Sequence, residues 1–515
     1  MKNRLVAIIE IGSTGIRLLV AQMQERKGRH GDNWKIMDSA GRPVALGRDV
    51  FNSGELSRES LLDCLSVFQN FRELLESWDI SGENIHVIAT SALRVARNRD
   101  IFIDRIRQET GFNLSVVDGV EENRLLYLAV RFALKQDVPL FWRANSMILD
   151  IGGGSTEVML LRRGQMVVAH SIKLGTIIID QKVRHMAGPG LFHENHLKDA
   201  IRDTTKTLNA DMDLAYVRTF VVAGSDARLA SDHAGSELNE HCRVINRNDF
   251  IAFAEKIQNY NAEECVQKLG ISYAEAEGFI PGIILIKLFL EQTGAAQIVV
   301  PLVSIREGYL IDLALGVDSE QQEEFYSQII ASAVNLGRKF HFDEAHARHV
   351  ANLCMTLFDA LLKEHGMDSR QRMMLKTAAI LHDIGAFIKT SGHNRHGQYI
   401  VSNSEIFGLP RDELDIIANV IRYHQGREPT QADIEYISLQ REERLIVLKM
   451  AAILRIADAL DRGHTQQLKN LSVERRAETI ALHAQGTYDI SQELIALEEK
   501  ADYFQAVFGY KVVLN

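Results

Sequence analysis

Residues 5–20 read LVAIIEIGSTGIRLLV and residues 147–161 read MILDIGGGSTEVMLL, so one pattern occurs twice in the chain. Each copy is an apolar strand, a carboxylate (Glu10, Asp150), an Ile-Gly step into a small-residue turn, and a second apolar strand. A glycine-rich turn that opened a helix would indicate a phosphate-loop or dinucleotide fold. Here a strand follows the turn, so each copy reads as a β-hairpin whose tip exposes backbone N–H groups. Two such hairpins predict two similar α/β lobes facing a cleft.

The remaining segments extend that reading. IHVIATSAL (85–93) is a strand ending in a Thr-Ser turn, RTFVVAGSDARLAS (218–231) is its counterpart in the second lobe, and AAQIVVPL (295–302) is a further buried strand. From about Asp318 the strand signals give way to helical periodicity rich in histidine, and the last forty residues return to short strands (TIALHA, YKVVLN) around one helix. The expected organisation is therefore one α/β lobe over 1–125, a second over 126–315, an all-α domain over 316–475 and a small α+β segment over 476–515.

Composition narrows the function classes. Of 515 residues 46% are hydrophobic and 24% charged, which excludes a disordered chain. The net charge of −10 excludes a global basic footprint for duplex DNA, although a local patch could still hold a smaller polyanion. Cys64, Cys242, Cys265 and Cys354 lie far apart without a CxxC pair, which argues against a disulfide framework or a zinc knuckle and suits a reducing compartment. The start MKNRLVAIIEIG lacks a signal-peptide core, and the apolar run from Gly282 is broken at Lys287, too short to span a bilayer. The expectation is a cytoplasmic protein without a membrane segment.

Three groups of residues carry chemistry. At the second hairpin, Gly152, Gly153, Gly154, Ser155 and Thr156 let a phosphate approach backbone donors closely. Asp150 at the strand end is placed to hold a divalent cation, and Glu157 follows the turn. Phosphate chemistry needs both parts, donors for the oxygens and a metal for the developing charge. In Asp118-Gly-Val-Glu121-Glu122-Asn-Arg124, Asp118 is a helix N-cap and Glu121 stands three residues on, as in a capping box. Glu122 projects about 100° further round the helix, which leaves its carboxylate free to act as a general base or simply to favour the helix dipole. Arg97, Arg99, Arg105 and Arg107 read as a solvated helix face, whereas Arg94 beside the Thr90-Ser91 turn is placed to reach a ligand. Ser304-Ile-Arg306-Glu307-Gly308 closes a later strand in the same way.

Together, DIGGGSTE (150–157), DGVEENR (118–124), TSALR (90–94), the Gly12–Arg17 turn and SIREG (304–308) resemble the exopolyphosphatase/guanosine pentaphosphate phosphatase (Ppx/GppA) family, from about residue 4 to at least 312. The resemblance implies two actin-like, ribonuclease H-like lobes. It implies Mg²⁺-dependent release of the terminal phosphate from inorganic polyphosphate, or of the 5′-γ-phosphate from pppGpp. Carried over by position, Glu122 is the catalytic glutamate, and Asp150 and Glu157 organise metal and water, with Glu10 beside Asp150 at the metal. Gly12, Ser13, Thr14, Arg17, Arg94, Gly152, Gly153, Gly154, Ser155, Thr156, Gly224 and Ser225 would bind phosphate. The sequence departs from the family twice: Glu10-Ile-Gly12-Ser13-Thr14-Gly15 stands where Asp-x-Gly-Ser-Asn-Ser is usual, and Ala223-Gly224-Ser225-Asp226-Ala227 stands where a Gly-Thr pair is usual. Those changes motivate a second reading, a (p)ppGpp or polyphosphate sensor with weak catalysis. Sugar-kinase chemistry is disfavoured because no segment reads as an adenosine pocket. Oligomeric state stays open, although a homodimer would lengthen a polyanion channel.

The helical region resembles the HD metal-dependent phosphohydrolase pattern, with His349, His382-Asp383 and Asp458 in order and His396 and His424 as further histidines. The resemblance implies an HD-like domain holding a divalent metal, with a second hydrolytic activity there as an alternative function. Asp458 shares a helical face with Leu454, Ala451 and Val447, and His424 shares one with Val420, Ile421 and Ile417. A carboxylate on an apolar face requires a cation or a donor. The competing explanation is an intrahelical ion pair of Asp458 with Arg455 or Arg462.

Overall fold

The structure is a computed structural model that describes residues 4–23, 34–134, 138–184, 190–315, 320–484 and 489–514. These form two compact units, Met1–Gln322 and Glu323–Asn515. The boundary expected near 315 adjoins 316–319, which lie outside the described residues.

In the first unit the strands β1 (Arg4–Ile11), β2 (Gly15–Met23), β3 (Trp34–Pro43), β4 (Ile85–Ala89) and β5 (Leu114–Val116) form a sheet of order β3-β2-β1-β4-β5. A second sheet holds β6 (Asn145–Ile151), β7 (Thr156–Arg162), β8 (Gln165–Ile172), β9 (Val217–Ala223), β10 (Ser236–Asn239), β11 (Cys242–Asn246) and β12 (Gln297–Pro301), in the order β10-β11-β12-β9-β6-β7-β8. The run β8-β7-β6-β9-β12 repeats the first sheet strand for strand: an antiparallel hairpin, then parallel neighbours. This is the duplicated two-lobe architecture that the paired hairpins predict, and the actin-like fold that the family resemblance implies. The registers set Glu10 opposite Arg17 in one hairpin and Asp150 opposite Glu157 in the other.

The apolar runs are nearly continuous because both faces of each sheet are covered. On β1, Ala7, Ile9 and Ile11 pack with Phe68 and Phe71, whereas Ile8 packs on the opposite face with Leu19 and Leu310. In the second lobe Met147, Leu149, Val158 and Phe220 share a core with Phe250, Phe279 and Phe289. Buried strands thus end in carboxylates at the mouth, and the two hairpin tips come together there.

The second unit is helical. Helices Glu344–Ala360, Ser369–Leu381, His393–Ser402, Arg411–Tyr423 and Arg441–Ala459 bury Val350, Leu375, Ile417, Ile421 and Leu454. Its end carries a three-stranded sheet, β13 (Leu471–Arg475), β14 (Thr479–Ala484) and β15 (Lys511–Leu514), around helix Ser491–Phe508. That helix packs on Arg441–Ala459, with the Arg455 guanidinium 4.2 Å from the Tyr503 ring centroid. The 476–515 segment therefore lies in the same compact unit as the helices.

Candidate active site and metal centre

Glycine is required at the hairpin tips by lack of space. A Cβ on Gly153 would stand 2.8 Å from the Ser13 Cβ of the other hairpin, and one on Gly154 would stand 2.2 Å from Phe51 Cζ. Each turn is closed by one backbone bond, Gly12 N to Gly15 O and Gly152 N to Ser155 O, both 2.9 Å. Gly224 has φ +100°, and a Cβ there would lie 3.0 Å from Asp150 Oδ1, so the second lobe's turn sits directly on that carboxylate. The Ser13 and Ser91 hydroxyls are 3.0 Å apart, and the Arg17 guanidinium reaches Gly12. Thr14 is half-buried, and the Ser225 hydroxyl is 3.5 Å from Asp226 Oδ1. Thr156 donates its hydroxyl to the Leu174 carbonyl, and Ser155 bonds Glu157, so these two side chains hold the turn itself.

Around the tips stands a set of carboxylates. Glu122, on the first turn of helix Gly119–Leu134, accepts from Arg94 Nη1 at 2.9 Å, and the same nitrogen donates to Val117 O at 3.1 Å. Burial raises the Glu122 pKa; Arg94 opposes that rise, and the charges of Glu10 and Asp118 add to it. Asp150 is pushed up to about 7, by burial and then by Glu122 and Glu10. Glu157, 2% exposed, is pushed up to about 8 by burial and by Glu122, although it accepts from Asn123 Nδ2 at 3.0 Å and Ser171 Oγ at 2.8 Å. Burial also raises Asp226 to about 7, with Asp150 adding to it. Glu10 faces Arg306 Nε at 3.2 Å. A set of acidic groups that burial and mutual repulsion all hold toward the neutral form is a donor set a divalent cation fits.

Two features depart from the expectation. The capping box at Asp118 is half-formed: Asp118 Oδ1 accepts from Glu121 N at 2.8 Å, but the Glu121 carboxylate turns to Arg124 at 2.7 Å. Arg124 also binds Asp312 at 2.7 and 2.9 Å, which competes for it better than a backbone N–H would. Sequence reasoning missed Arg228, whose guanidinium donates to Val303 O and is electrostatically coupled to Asp150. Its Nε has no hydrogen-bond partner among the described residues. The Gly-Ser-Asp-Ala-Arg turn put an arginine one helical turn from the phosphate-type glycine, which is the signal that could have found it.

In the second unit the histidines gather in a register shifted by one helical turn. His346 takes the place expected of His349, and His393 takes the place expected of His396. His349 stands outside the cluster with its Nε2 buried and unbonded, and His396 is likewise outside it. The cluster is His346, His382, Asp383, His393, His424 and Asp458. Asp343, the N-cap of helix Glu344–Ala360, accepts from His346 N at 3.1 Å and so turns that residue inward. His346 Nδ1 then meets the buried Asp461 at 2.8 Å, and Asp458 and Asp461 outweigh burial to push its pKa up to about 9. Burial and His382 push His424 down to about 3. Asp458 pairs neither with Arg455, which donates to the Tyr423 and Gly426 carbonyls, nor with the exposed Arg462. Its ion-pair partner is Lys500 from helix Ser491–Phe508.

Comparison with known proteins follows the same division. Residues 20–316 match the model of the Ppx/GppA phosphatase family, and residues 330–502 match that of Ppx/GppA phosphatase, domain III. A guanosine-5′-triphosphate,3′-diphosphate pyrophosphatase of Pseudoalteromonas atlantica is 25% identical over 88% of this chain and 86% of its own. One of Aliivibrio fischeri is 24% identical over 99% and 97%. Among solved structures, an exopolyphosphatase from Cytophaga hutchinsonii covers 61% of this chain and 99% of its own at 20% identity, with a TM-score of 0.54, a likeness of fold. No helix among the described residues is long and apolar enough to cross a membrane.

Proposed function

The chain belongs to the Ppx/GppA phosphatase family, and from that membership and the cleft geometry we propose that it hydrolyses a terminal phosphoanhydride, converting pppGpp to ppGpp and shortening inorganic polyphosphate by the same chemistry. The observation that carries this reading is Glu122, a largely buried carboxylate held at 2.9 Å by Arg94 and facing the charges of Asp150 and Glu157. Glu122 accepts the proton of the attacking water, and Arg94 fixes which carboxylate oxygen faces that water. The glycine-turn N–H groups, Ser13 and Arg17 hold the phosphate oxygens, Arg228 adds positive charge from the second lobe, and Arg306 adds it from the helix that packs on the first sheet. The new P–O bond forms as the bond to the leaving diphosphate breaks. Mg²⁺ held by Asp150 and Glu157, with Glu10 nearby, would neutralise charge on the transferring group.

The names of the relatives at 24–25% identity favour pppGpp as the preferred substrate. The test is phosphate release from pppGpp and from polyphosphate side by side with Mg²⁺. Release from both, faster from pppGpp, supports the reading; tight binding of either with no release would replace it with the sensor role that Glu10 and Asp226 motivate. We further assign one divalent metal to the histidine–aspartate cluster and a cytoplasmic location, in keeping with four buried cysteines that form no disulfide.

A further inference from the structure

Glu122 stands on the first turn of helix Gly119–Leu134, and that turn is held from outside the helix as well as from within. Asp118 Oδ1 caps it through Glu121 N, while the Glu121 carboxylate is withdrawn from the cap and given to Arg124. Arg124 lies one turn further along the same face. Its Nε and Nη2 donate to Glu121 Oε2 and Oε1, both at 2.7 Å, and its Nη1 and Nη2 donate to Asp312 Oδ1 and Oδ2 at 2.7 and 2.9 Å. Each carboxylate is held by both of its oxygens, a geometry that the planar guanidinium provides and an ammonium does not. The Arg124 side chain is 15% exposed, so solvent screens these pairs less than it screens surface ones.

Asp312 belongs to helix Ile305–Leu315, which also carries Arg306. That helix is itself anchored: Glu307 Oε2 accepts from Ser304 N and Ser304 Oγ at 2.7 and 2.6 Å, and Leu310 is buried with Ile8 and Leu19 of the first sheet. The two helices meet at backbone contact, since a Cβ on Gly308 would stand 2.0 Å from the Leu125 carbonyl oxygen. One close contact fixes the distance between two crossing helices and leaves the angle about that contact free. Asp312 lies one turn from Gly308, about 6 Å along the axis, and its partner Arg124 is the neighbour of Leu125. The Arg124–Asp312 pair is thus a second contact away from the crossing point, and it sets the angle. Glu122 is three residues from Leu125, about 4.5 Å along the helix, so a swing of ~10° moves its backbone by about 0.8 Å. A misplacement of about 1 Å at a reacting group can cost on the order of 10²-fold in rate.

We propose that Arg124 is a positioning residue for phosphate release that acts through Glu122. Its paired bonds to Glu121 and Asp312 fix the angle between the two helices, and with it the place of the Glu122 carboxylate against Arg94 and the attacking water. The inference rests on the reading of Glu122 as the base. Without the guanidinium, the Glu121 and Asp312 carboxylates would face each other and drive the helices apart.

The test is a double-mutant cycle on the full chain, with kcat and KM for phosphate release from pppGpp and Mg²⁺, and the urea midpoint as the check on folding. Arg124→Lys keeps the charge and loses the fork, so kcat should fall about 10- to 100-fold while KM changes less than about twofold. Asp312→Asn should lower kcat in the same direction, and it carries the test if Arg124→Lys fails to fold. Once the base is gone its placement no longer matters. In the Glu122→Gln background, either substitution should therefore cost less than about twofold. An equal loss in both backgrounds, or wild-type kcat in Arg124→Lys and Asp312→Asn, overturns the inference and leaves these ion pairs as supports of the fold alone. A wild-type rate in Glu122→Gln, which is seen with Arg124 intact, strikes the reading of Glu122 itself and the inference with it.

Discussion

Glu157 gives the cleft a measurable dependence of stability on pH. Its pKa is held at about 8 in the folded chain against an ordinary 4.5, because the carboxyl is buried and faces Glu122. Between those two values the unfolded chain has lost the proton and the folded chain has kept it. The folded state binds more protons, so stability falls as pH rises through that window. The contribution is fully present below 4.5 and gone above about 8. At 1.36 kcal/mol per pKa unit, moving from pH 5 to pH 8 removes about 3 to 4 kcal/mol through this group alone. Asp150 and Asp226, both raised to about 7, act in the same direction, but the sites interact and their contributions do not simply add. A divalent cation opposes this trend by favouring the ionised carboxylates. All three tryptophans, Trp34, Trp78 and Trp142, belong to the first unit, so urea unfolding followed by tryptophan fluorescence reports on that unit. With a chelator the midpoint should fall steadily from pH 5 to pH 8; with saturating Mg²⁺ it should fall much less. A chelated protein whose stability is flat or rising across that range would refute the burial argument and the cation site inferred from it.

Other outcomes follow from the same geometry. Glu122→Gln keeps the shape of the side chain and an acceptor for Arg94 but removes the base, so kcat for phosphate release should fall roughly 10²- to 10⁴-fold with KM nearly unchanged; a wild-type rate would remove Glu122 from the mechanism. Gly154→Ala would drive a methyl to 2.2 Å from Phe51 Cζ, and the resulting shift should cost about 1–3 kcal/mol in the urea midpoint together with most of the activity. Asp461→Asn weakens the hydrogen bond that orients His346, and titration of the full chain should show metal affinity at the second unit lowered about 10- to 100-fold.

The sequence shows the hairpins and Glu122 because these depend on local signals: a strand period broken by small residues, and an acidic residue in the first turn of a helix that is left without a capping role. The histidine cluster shows what local signals leave undecided. His346 and His349 are one turn apart on the same helix, as are His393 and His396, so spacing identifies the face and not the residue. The choice is made by groups remote in the chain: Asp461 receives His346 from 115 residues away, and Asp383 binds His393. Lys500, 42 residues beyond Asp458, supplies the compensation for Asp458 that Arg455 and Arg462 were expected to compete for. Arg306 was legible as a strand-end arginine, but its pairing with Glu10 depends on the helix Ile305–Leu315 returning to pack on β1, nearly 300 residues earlier in the chain.

That pairing bears on the substitution at the first hairpin. Glu10 is a methylene longer than the aspartate usual in the family, and the extra length brings its carboxylate to Arg306 at 3.2 Å, both groups being largely buried. A guanidinium that neutralises Glu10 lowers the demand for a cation there and leaves Asp150, Glu157 and Asp226, raised to about 7, 8 and 7, as the carboxylates that a cation would favour most. The helix that carries Arg306, Ile305–Leu315, packs on β1, the strand that carries Glu10, so the pair is built within that packing. A phosphate oxygen arriving between them would compete with Glu10 for Arg306, freeing the glutamate toward Asp150 when a cation and a polyanion are both present. In the mechanism proposed above, the longer side chain would then link occupancy of the phosphate site to completion of the metal site.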